Sequence, residues 1–420
     1  MMEWNILAVV VMISLFALWK LDFAAALLNL KAFPESVPPA LSDVITPESL
    51  DRSRAYLRTN VIFHIIQASI TLTLLIGFWM FGGFQQIDAF SRHLMHDGPV
   101  TSGLLFFALC ALGSQVLSLP FSWYGTFIIE EKFGFNRSTP ATFWGDQIKS
   151  LLLLACLGLP IAAAILWIFL HVPHAWLWAW LVFTAFQLFV TWLAPTLILP
   201  IFNKFTPMPE SVLKQRIEAL GERCGFPLSG VFVMDGSKRS TKANAFFIGF
   251  GKRKKIALFD TLIEKHDEDE LLGVLAHEIG HFRRGHILQR LFVDVIQSAA
   301  LFFLLGLATD PHGAFARLLF DAFGVKEISP HVGIILFMLL FEPVSRVLGV
   351  FANAWSRRHE FEADAFAAES TGHSAPLAAA LKKLSADQLS HPTPHPLRVW
   401  LDHSHPPLLE RLHALEEMPR

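Results

Sequence analysis

Seven apolar stretches constrain the fold of this chain more than any other feature, because each can cross the roughly 30 Å hydrocarbon core of a bilayer at about 1.5 Å per residue. Of the 420 residues, 53% are hydrophobic and only 17% are charged, against about 25% charged in soluble domains. The sequence therefore predicts a mainly α, polytopic membrane protein. The predicted spans are Ile6–Leu30, Ile62–Phe84, Leu104–Trp123, Leu151–Leu170, Ala175–Phe202, Leu291–Leu307 and Val332–Val350.

The basic residues are distributed unevenly around these spans. The connections on one side and the C-terminal tail hold 29 Lys and Arg, whereas the loops on the other side hold three. Because basic loops stay in the cytoplasm, we expect the C-terminus and the large loop to be cytoplasmic and the N-terminus to face away. Met1–Asn5 lacks the basic residues that begin a secretory signal, so the first span is expected to remain uncleaved.

Four segments follow from this plan. They are residues 1–202, with five transmembrane helices and their loops; 203–290, a cytoplasmic segment; 291–350, with helices six and seven; and 351–420, a cytoplasmic helical tail. The net charge of −2 gives no electrostatic reason to expect a nucleic-acid partner. The three cysteines are scattered, so the chain has no CxxC metal or redox motif.

The polar segment 203–290 has the patterns of a small α/β unit. Helical spacing and an acidic first turn indicate helices, and short β-branched or aromatic runs indicate strands. The predicted elements are a helix over Ser211–Cys224, a strand over Val231–Met234, a hairpin of Ala245–Phe250 and Lys255–Phe259 through Gly251, and a helix over Asp267–Phe282. The tail from Arg357 to Arg420 is predicted to be helical, interrupted at His391–Pro407.

The last of these helices carries an HExxH motif, His277-Glu278-Ile279-Gly280-His281. Histidines at i and i+4 share one helical face, so both imidazoles can reach one ion. Glu278 lies beside them and is placed to accept a proton from an attacking water. Two histidines on the surface of a charged helix would be the alternative interpretation of this motif. We expect one Zn²⁺ per chain, because His, His and carboxylate ligands suit that ion.

A catalytic zinc site needs a third protein ligand, and the segment around Glu360 offers it. Glu360 and Asp364 share one helical face, whereas Glu362 points nearly the other way. The consistent assignment has Glu360 as ligand and Asp364 as the acceptor from a ligand imidazole. Two spans separate His281 from Glu360, which puts both on the same side of the membrane, although an exposed charged helix would show the same pattern.

Peptide hydrolysis also needs a donor for the developing oxyanion. The chain has two tyrosines, Tyr56 and Tyr124, and both lie far upstream of the motif. The tail offers His403, His405 and Arg411 instead, in a His- and Pro-rich stretch that would also suit a plain surface loop.

Together these residues resemble the type I CAAX prenyl proteases, membrane zinc endopeptidases that trim prenylated C-termini. The resemblance covers nearly the whole chain, including the seven-span plan. It is carried in order by Glu130–Asn136, Ala243–Phe250, the HEIGH sequence at 277–281, Arg357–Ala365 and Ser404–Leu412.

The resemblance implies a ring of seven helices around a water-filled chamber, capped by the metallopeptidase domain. It implies His277, His281 and Glu360 as zinc ligands and Glu278 as general base. It further implies that Asn244, His405 and Arg411 contact the substrate backbone or the transition state. The strand at Asn244–Phe250 would then pair with the substrate by β-addition.

Polar residues inside the spans favour a hydrated interior independently of the resemblance, because they would be costly facing lipid. They are Lys20, Asp22, His64, Gln67, Asp294, Gln297, Glu342 and Arg346. Glu342 and Arg346 are spaced i, i+4, which predicts an ion pair between them.

The leading hypothesis is a zinc-dependent membrane endopeptidase that removes the residues following a prenylated cysteine. Its partners would be a peptide or protein substrate, prenylated or not, and the lipid bilayer. A membrane-protein quality-control metalloprotease is the alternative within the same chemistry. A transporter or channel is disfavoured, since no inverted repeat is visible. Short loops on the non-cytoplasmic side, and no retrieval signal at Glu417–Arg420, indicate a bacterial inner membrane; a eukaryotic chain would lie in the endoplasmic reticulum.

Overall fold

The computed structural model describes residues 4–248 and 254–418, in which seven helices are long and apolar enough to span a bilayer. These are α1 (Ile6–Lys31), α2 (Pro47–Met80), α4 (Pro99–Glu130), α5 (Pro140–His171), α6 (Ala175–Phe202), α10 (His286–Ala308) and α12 (Pro330–Thr371). The shorter helices are α3 (Gly83–Leu94), α7 (Val212–Arg223), α8 (Asp260–Lys265), α9 (Glu268–Arg283), α11 (Ala314–Ala322), α13 (Ala375–Asp387), α14 (Pro396–Asp402) and α15 (Leu408–Glu416).

The predicted spans are confirmed in number and order, and the differences concern where the helices end. The predicted second span overruns its helix, because α2 stops at Met80 and Gly82 turns the chain with a φ of 72° into α3. The seventh helix, α12, runs unbroken for 42 residues and passes well beyond Val350 to Thr371. The tail is helical as predicted, but the interruption at His391–Pro407 is shorter than expected, since α14 lies inside it.

Aromatic side chains join the ends of the spanning helices to the short helices between them. The Trp79 ring stacks on Phe323 at 4.5 Å between centroids, and Phe84 meets Phe323 edge-on at 5.6 Å. Beside them, buried His331 contacts buried Asp88 at 2.7 Å. These contacts fix α3 and the residues after α11 against the bundle.

A four-stranded sheet forms most of the α/β unit, in the order β1 (Phe205–Pro207), β2 (Leu228–Met234), β4 (Lys254–Phe259), β3 (Ala245–Ile248). β1 and β3 run antiparallel to their neighbours, whereas β2 and β4 are parallel. The antiparallel pairing of the two predicted hairpin strands is confirmed, and the predicted turn residue Gly251 lies outside the described residues. β3 is an edge strand, with one side of its backbone turned away from the sheet.

Helix α9 starts where the sequence predicts, because Asp267 and Glu270 form a reciprocal capping box. Its apolar face packs into the hydrophobic core of the α/β unit, where Leu271, Leu275 and Ile279 belong to the same buried cluster as Leu258 of β4. Gly280 lies against α12: a Cβ built there would meet the Ala363 Cα and carbonyl oxygen at 3.1 Å. Glycine at this position therefore allows α9 and α12 to approach closely.

Two partly open cavities among the spanning helices are lined by most of the predicted polar residues. One, of about 1010 Å³, is lined by Asp22, His64, Gln67, Glu342 and Arg346 among others. The other, of about 440 Å³, includes Asp294 and Gln297 in its lining. Lys20 is instead exposed on α1.

The predicted ion pair between Glu342 and Arg346 is not formed. The Arg346 guanidinium contacts Asp22 on α1 and Asp402 on α14, the latter at 2.9 Å. Asp402 also pairs with Arg398 at 2.8 Å. The helical spacing of two opposite charges was not decisive here, because carboxylates from other elements line the same cavity wall.

Candidate metal centre

The two histidines of HExxH and Glu360 meet where α9 crosses α12. The Nε2 atoms of His277 and His281 lie 3.2 Å apart. The Glu360 carboxylate oxygens lie 3.5 Å from His277 Nε2 and 3.2 Å from His281 Nε2. The structure therefore brings the three predicted ligands together, with their donor atoms facing one another.

This donor set fits a zinc ion. Four ligands at about 2.0–2.2 Å in tetrahedral geometry have donor atoms roughly 3.3 Å apart, close to the observed separations. Glu360 is 3% exposed, and its Oε2 has no hydrogen-bond partner among the described residues. A buried carboxylate oxygen without a partner is costly, and a metal ion at the centre of the three ligands would satisfy it.

The Asp364 carboxylate lies against the first histidine. Its Oδ1 lies 2.8 Å from His277 Nδ1, and Arg411 donates to both Asp364 oxygens, at 2.6 and 2.8 Å. Burial alone would lower the pKa of His277, but the hydrogen bond to Asp364 and the nearby Glu360 carboxylate outweigh it and raise that pKa to about 9. Because Asp364 accepts from Nδ1, the Nε2 atom of His277 is directed at the metal position.

Glu278 is the acidic group of the centre with no hydrogen bond or ion pair among the described residues. Burial raises the pKa of its carboxyl group, although the neighbouring His277 and His281 partly oppose this. A carboxylate with free oxygens and a raised pKa suits a group that accepts a proton and later returns it.

The proposed oxyanion donors occupy different positions. His405 is mostly exposed, and its Nε2 lies 3.4 Å from Glu360 Oε1. Arg411 is buried, with its Nη1 at 3.5 Å from Glu360 Oε2. His403 offers its backbone carbonyl to Arg357, and its side chain makes no contact with the three ligands within the described part of the chain.

Asn244 immediately precedes the edge strand β3, and its side-chain oxygen accepts from the backbone N–H of Ala245 at 2.8 Å. The preceding residues are held by the loop after α4: Phe135 accepts from Thr241 N–H at 3.1 Å. Glu130 binds Lys242 at 3.0 Å and accepts from the Tyr56 hydroxyl at 2.5 Å. Tyr56 thus helps to fix the approach to β3, whereas Tyr124 is exposed on α4.

Sequence reasoning did not find His286 and gave Glu362 no role at the centre. His286, just beyond α9, places its Nδ1 at 3.0 Å from His281 Nδ1, and its Nε2 at 3.1 Å from Glu362 Oε2. The only feature of the sequence that could have indicated His286 is its position directly after the turn glycine Gly285. Glu362 does point away from the metal position, as predicted, but it points toward His286.

Two family models match the chain. A model described as the CAAX prenyl protease N-terminal region, with five membrane helices, matches residues 26–204, and Peptidase family M48 matches residues 207–419. Among curated proteins, the CAAX prenyl protease 1 homolog of Oryza sativa subsp. japonica is 38% identical over 391 residues, covering 91% of this chain and 90% of that protein. The human CAAX prenyl protease 1 homolog is 33% identical, covering 96% and 93%.

A solved structure agrees with these matches. The crystal structure of S. mikatae Ste24p superposes with a TM-score of 0.89 at 33% sequence identity, covering 98% of this chain and 99% of that one. The likeness thus extends over the membrane helices and the metal centre alike. The protein is therefore a membrane metalloendopeptidase of family M48, with the membrane domain of the CAAX prenyl proteases.

Proposed function

We propose that this chain is a zinc-dependent endopeptidase that removes the C-terminal residues following a prenylated cysteine, with one Zn²⁺ held by His277, His281 and Glu360. The spacing of those three donors beside an unbonded Glu278 is the observation that carries the proposal. The names of its relatives, which are CAAX prenyl proteases, support the choice of substrate.

Each residue of the centre has a separate task in hydrolysis. Zn²⁺ in such a site supplies a Lewis acid and makes water acidic enough to ionise near neutral pH. Glu278 accepts the proton of the attacking water and returns it to the leaving nitrogen. Asp364 keeps the Nδ1 proton of His277 in place. His405 and Arg411 supply positive charge or N–H donors beside Glu360, where the oxyanion develops.

The edge strand gives the substrate backbone a place to bind. Asn244 O accepts from Phe259 N–H at 3.1 Å, and antiparallel pairing alternates along the strand. The backbone groups of Ala245 and Phe247 therefore point away from β4, and an extended peptide can pair with them by β-addition. Because Asn244 Oδ1 occupies the Ala245 N–H, it must release that donor when a substrate strand docks.

The distribution of basic residues supports a cytoplasmic metal centre and C-terminus, with the N-terminus on the far side. Short loops on that side support a bacterial inner membrane. A bacterial substrate without a prenyl group is the chief alternative to a prenylated one, and the test below separates them.

The test uses the purified, detergent-solubilised full chain with matched farnesylated and unprenylated CAAX peptides. We expect wild type to cut the farnesylated peptide faster, and Glu278→Gln to bind one zinc yet cut neither. Glu264→Gln makes the same change on the exposed surface of α8 and should retain wild-type rates.

Each contrary result removes a defined part of the proposal. Cleavage by Glu278→Gln at the wild-type rate would reject Glu278 as the base. Equal rates on the two peptides would reject the prenyl preference and keep the endopeptidase. Silence on both peptides, with zinc bound, would reject CAAX cleavage in favour of unfolded membrane proteins as substrates.

A further inference from the structure

The second zinc-ligand histidine has its own chain of contacts, separate from that of the first. His277 is held directly by the Asp364 carboxylate. His281 has no carboxylate on its outer nitrogen within the described residues; its Nδ1 meets His286 Nδ1 at 3.0 Å instead. His286 in turn reaches Glu362 through its Nε2 at 3.1 Å.

Counting donors and acceptors shows which nitrogen donates in each of these hydrogen bonds. If His281 gives its Nε2 lone pair to a metal, its Nδ1 carries the proton and must donate. His286 Nδ1 then accepts, so the proton of neutral His286 lies on Nε2 and is donated to Glu362. Only one arrangement of protons satisfies all three side chains while His281 is a ligand.

Neighbouring residues hold the middle and the outer end of this series of contacts in place. The His286 ring stacks on His359 at 3.9 Å between centroids with a 5° interplanar angle, and His359 is the residue before the ligand Glu360. The second Glu362 oxygen accepts from Arg358 Nε at 3.0 Å. A left-handed turn at Gly285, with φ of 72°, returns His286 toward His281.

We propose that His286 and Glu362 are positioning residues that orient His281 for metal binding, through the relay His281–His286–Glu362. α12 then supplies one metal ligand, Glu360, and the carboxylates that orient both ligand histidines. Asp364 acts on His277 directly, whereas Glu362 acts on His281 through a neutral imidazole.

This inference rests on the proposed zinc centre, but its test requires no peptide cleavage. The measurement is the Zn²⁺ dissociation constant of the detergent-solubilised full chain, obtained by competition with a chromophoric chelator. Groups that orient ligand histidines change metal affinity by about 10–100-fold when removed, so we expect His286→Phe to weaken Zn²⁺ binding by that range. Phenylalanine keeps the stack on His359 and removes both nitrogens.

Glu362 provides a second pair of variants should His286→Phe fail to fold. Glu362→Ala removes the terminal acceptor and is expected to weaken Zn²⁺ binding by about tenfold, at the lower end of the range. Glu362→Gln retains an oxygen that accepts from His286 and is expected to stay within about threefold of wild type. A hydrogen-bond relay predicts that glutamine restores the Zn²⁺ affinity that alanine loses.

The absorption spectrum of the Co²⁺-substituted protein adds a readout of ligand geometry, and it should change in His286→Phe. His373→Phe makes the same replacement in the exposed turn after α12 and should leave affinity and spectrum unchanged. Wild-type Zn²⁺ affinity in His286→Phe, or equal losses in Glu362→Ala and Glu362→Gln, would overturn the relay. Failure of the proposed hydrolysis would instead leave the order of affinities intact and the peptides uncut.

Discussion

Asp364 is fully buried and has three hydrogen bonds on its two oxygens, so the substitution Asp364→Asn is a demanding test of the centre. Its Oδ1 receives His277 Nδ1 and Arg411 Nη2, and its Oδ2 receives Arg411 Nε. Asparagine offers one oxygen and one NH₂ group. Whichever way the amide is turned, an N–H donor faces another donor, and the negative charge beside Arg411 is lost.

The expected cost follows from the burial of Arg411, which is 7% exposed. Removing one partner of a buried ion pair costs about 3–5 kcal/mol, because the other charge stays buried without compensation. In the variant, Arg411 Nη1 would still lie 3.5 Å from Glu360 Oε2. We therefore expect a loss at the lower end of this range, about 3 kcal/mol of unfolding free energy. Loss of the acceptor for His277 should also weaken Zn²⁺ binding by about 10–100-fold.

Denaturant unfolding of the metal-free protein in detergent measures the first effect. The double variant Asp364→Asn with Arg411→Met serves as the control, since it removes the uncompensated cation and should recover at least half of the lost free energy. An Asp364→Asn protein as stable as wild type would refute this reasoning. So would a double variant less stable than the single one.

Three further outcomes are expected. His277 has a pKa of about 9 in the metal-free protein, so it carries a proton that zinc must displace; Zn²⁺ affinity should rise about tenfold per pH unit between about pH 7 and 8.5, and a flat chelator-competition profile would contradict this. Gly280→Ala should push α9 from α12, costing about 1–3 kcal/mol in denaturant unfolding and weakening zinc binding, whereas Gly221→Ala, whose Cβ meets Leu228 at an ordinary 3.5 Å, should be tolerated. Arg346→Met should lower the free energy of unfolding by only about 1 kcal/mol or less in the same assay, because its partner Asp22 is half exposed and its partner Asp402 still pairs with Arg398. Complete unfolding of this variant would show that the contacts of Arg346 are needed for the fold.

The sequence was sufficient for features that depend on local spacing. Hydropathy over about 20 residues located the seven spans, because a span is defined by its own length and polarity. The i, i+4 spacing of His277 with His281, and of Glu360 with Asp364, placed each pair on one face of its helix. The capping box likewise set the start of α9.

Features that depend on how two elements cross could not be derived in that way. Helical spacing predicted that Glu362 points away from the metal position. It could not predict the turn at Gly285 that brings His286 next to Glu362, because that turn lies between two helices. Arg346 was assigned the nearest carboxylate along its helix. In the folded chain, Asp22 and Asp402 reach it from α1 and α14 instead, since contacts across the cavity decide the pairing.

Helix α12 links the lipid environment to the reaction through a single backbone. At 1.5 Å per residue its 42 residues extend about 63 Å, roughly twice the thickness of the hydrocarbon core. The same rod therefore lines the membrane cavity at Arg346 and carries Glu360, with Pro343 as the point where it can bend. Because Arg346 and Glu360 share one helix, we expect a change of helix tilt to reach the metal centre, so turnover should vary with the acyl-chain length of the bilayer, and equal turnover in all bilayers would contradict this.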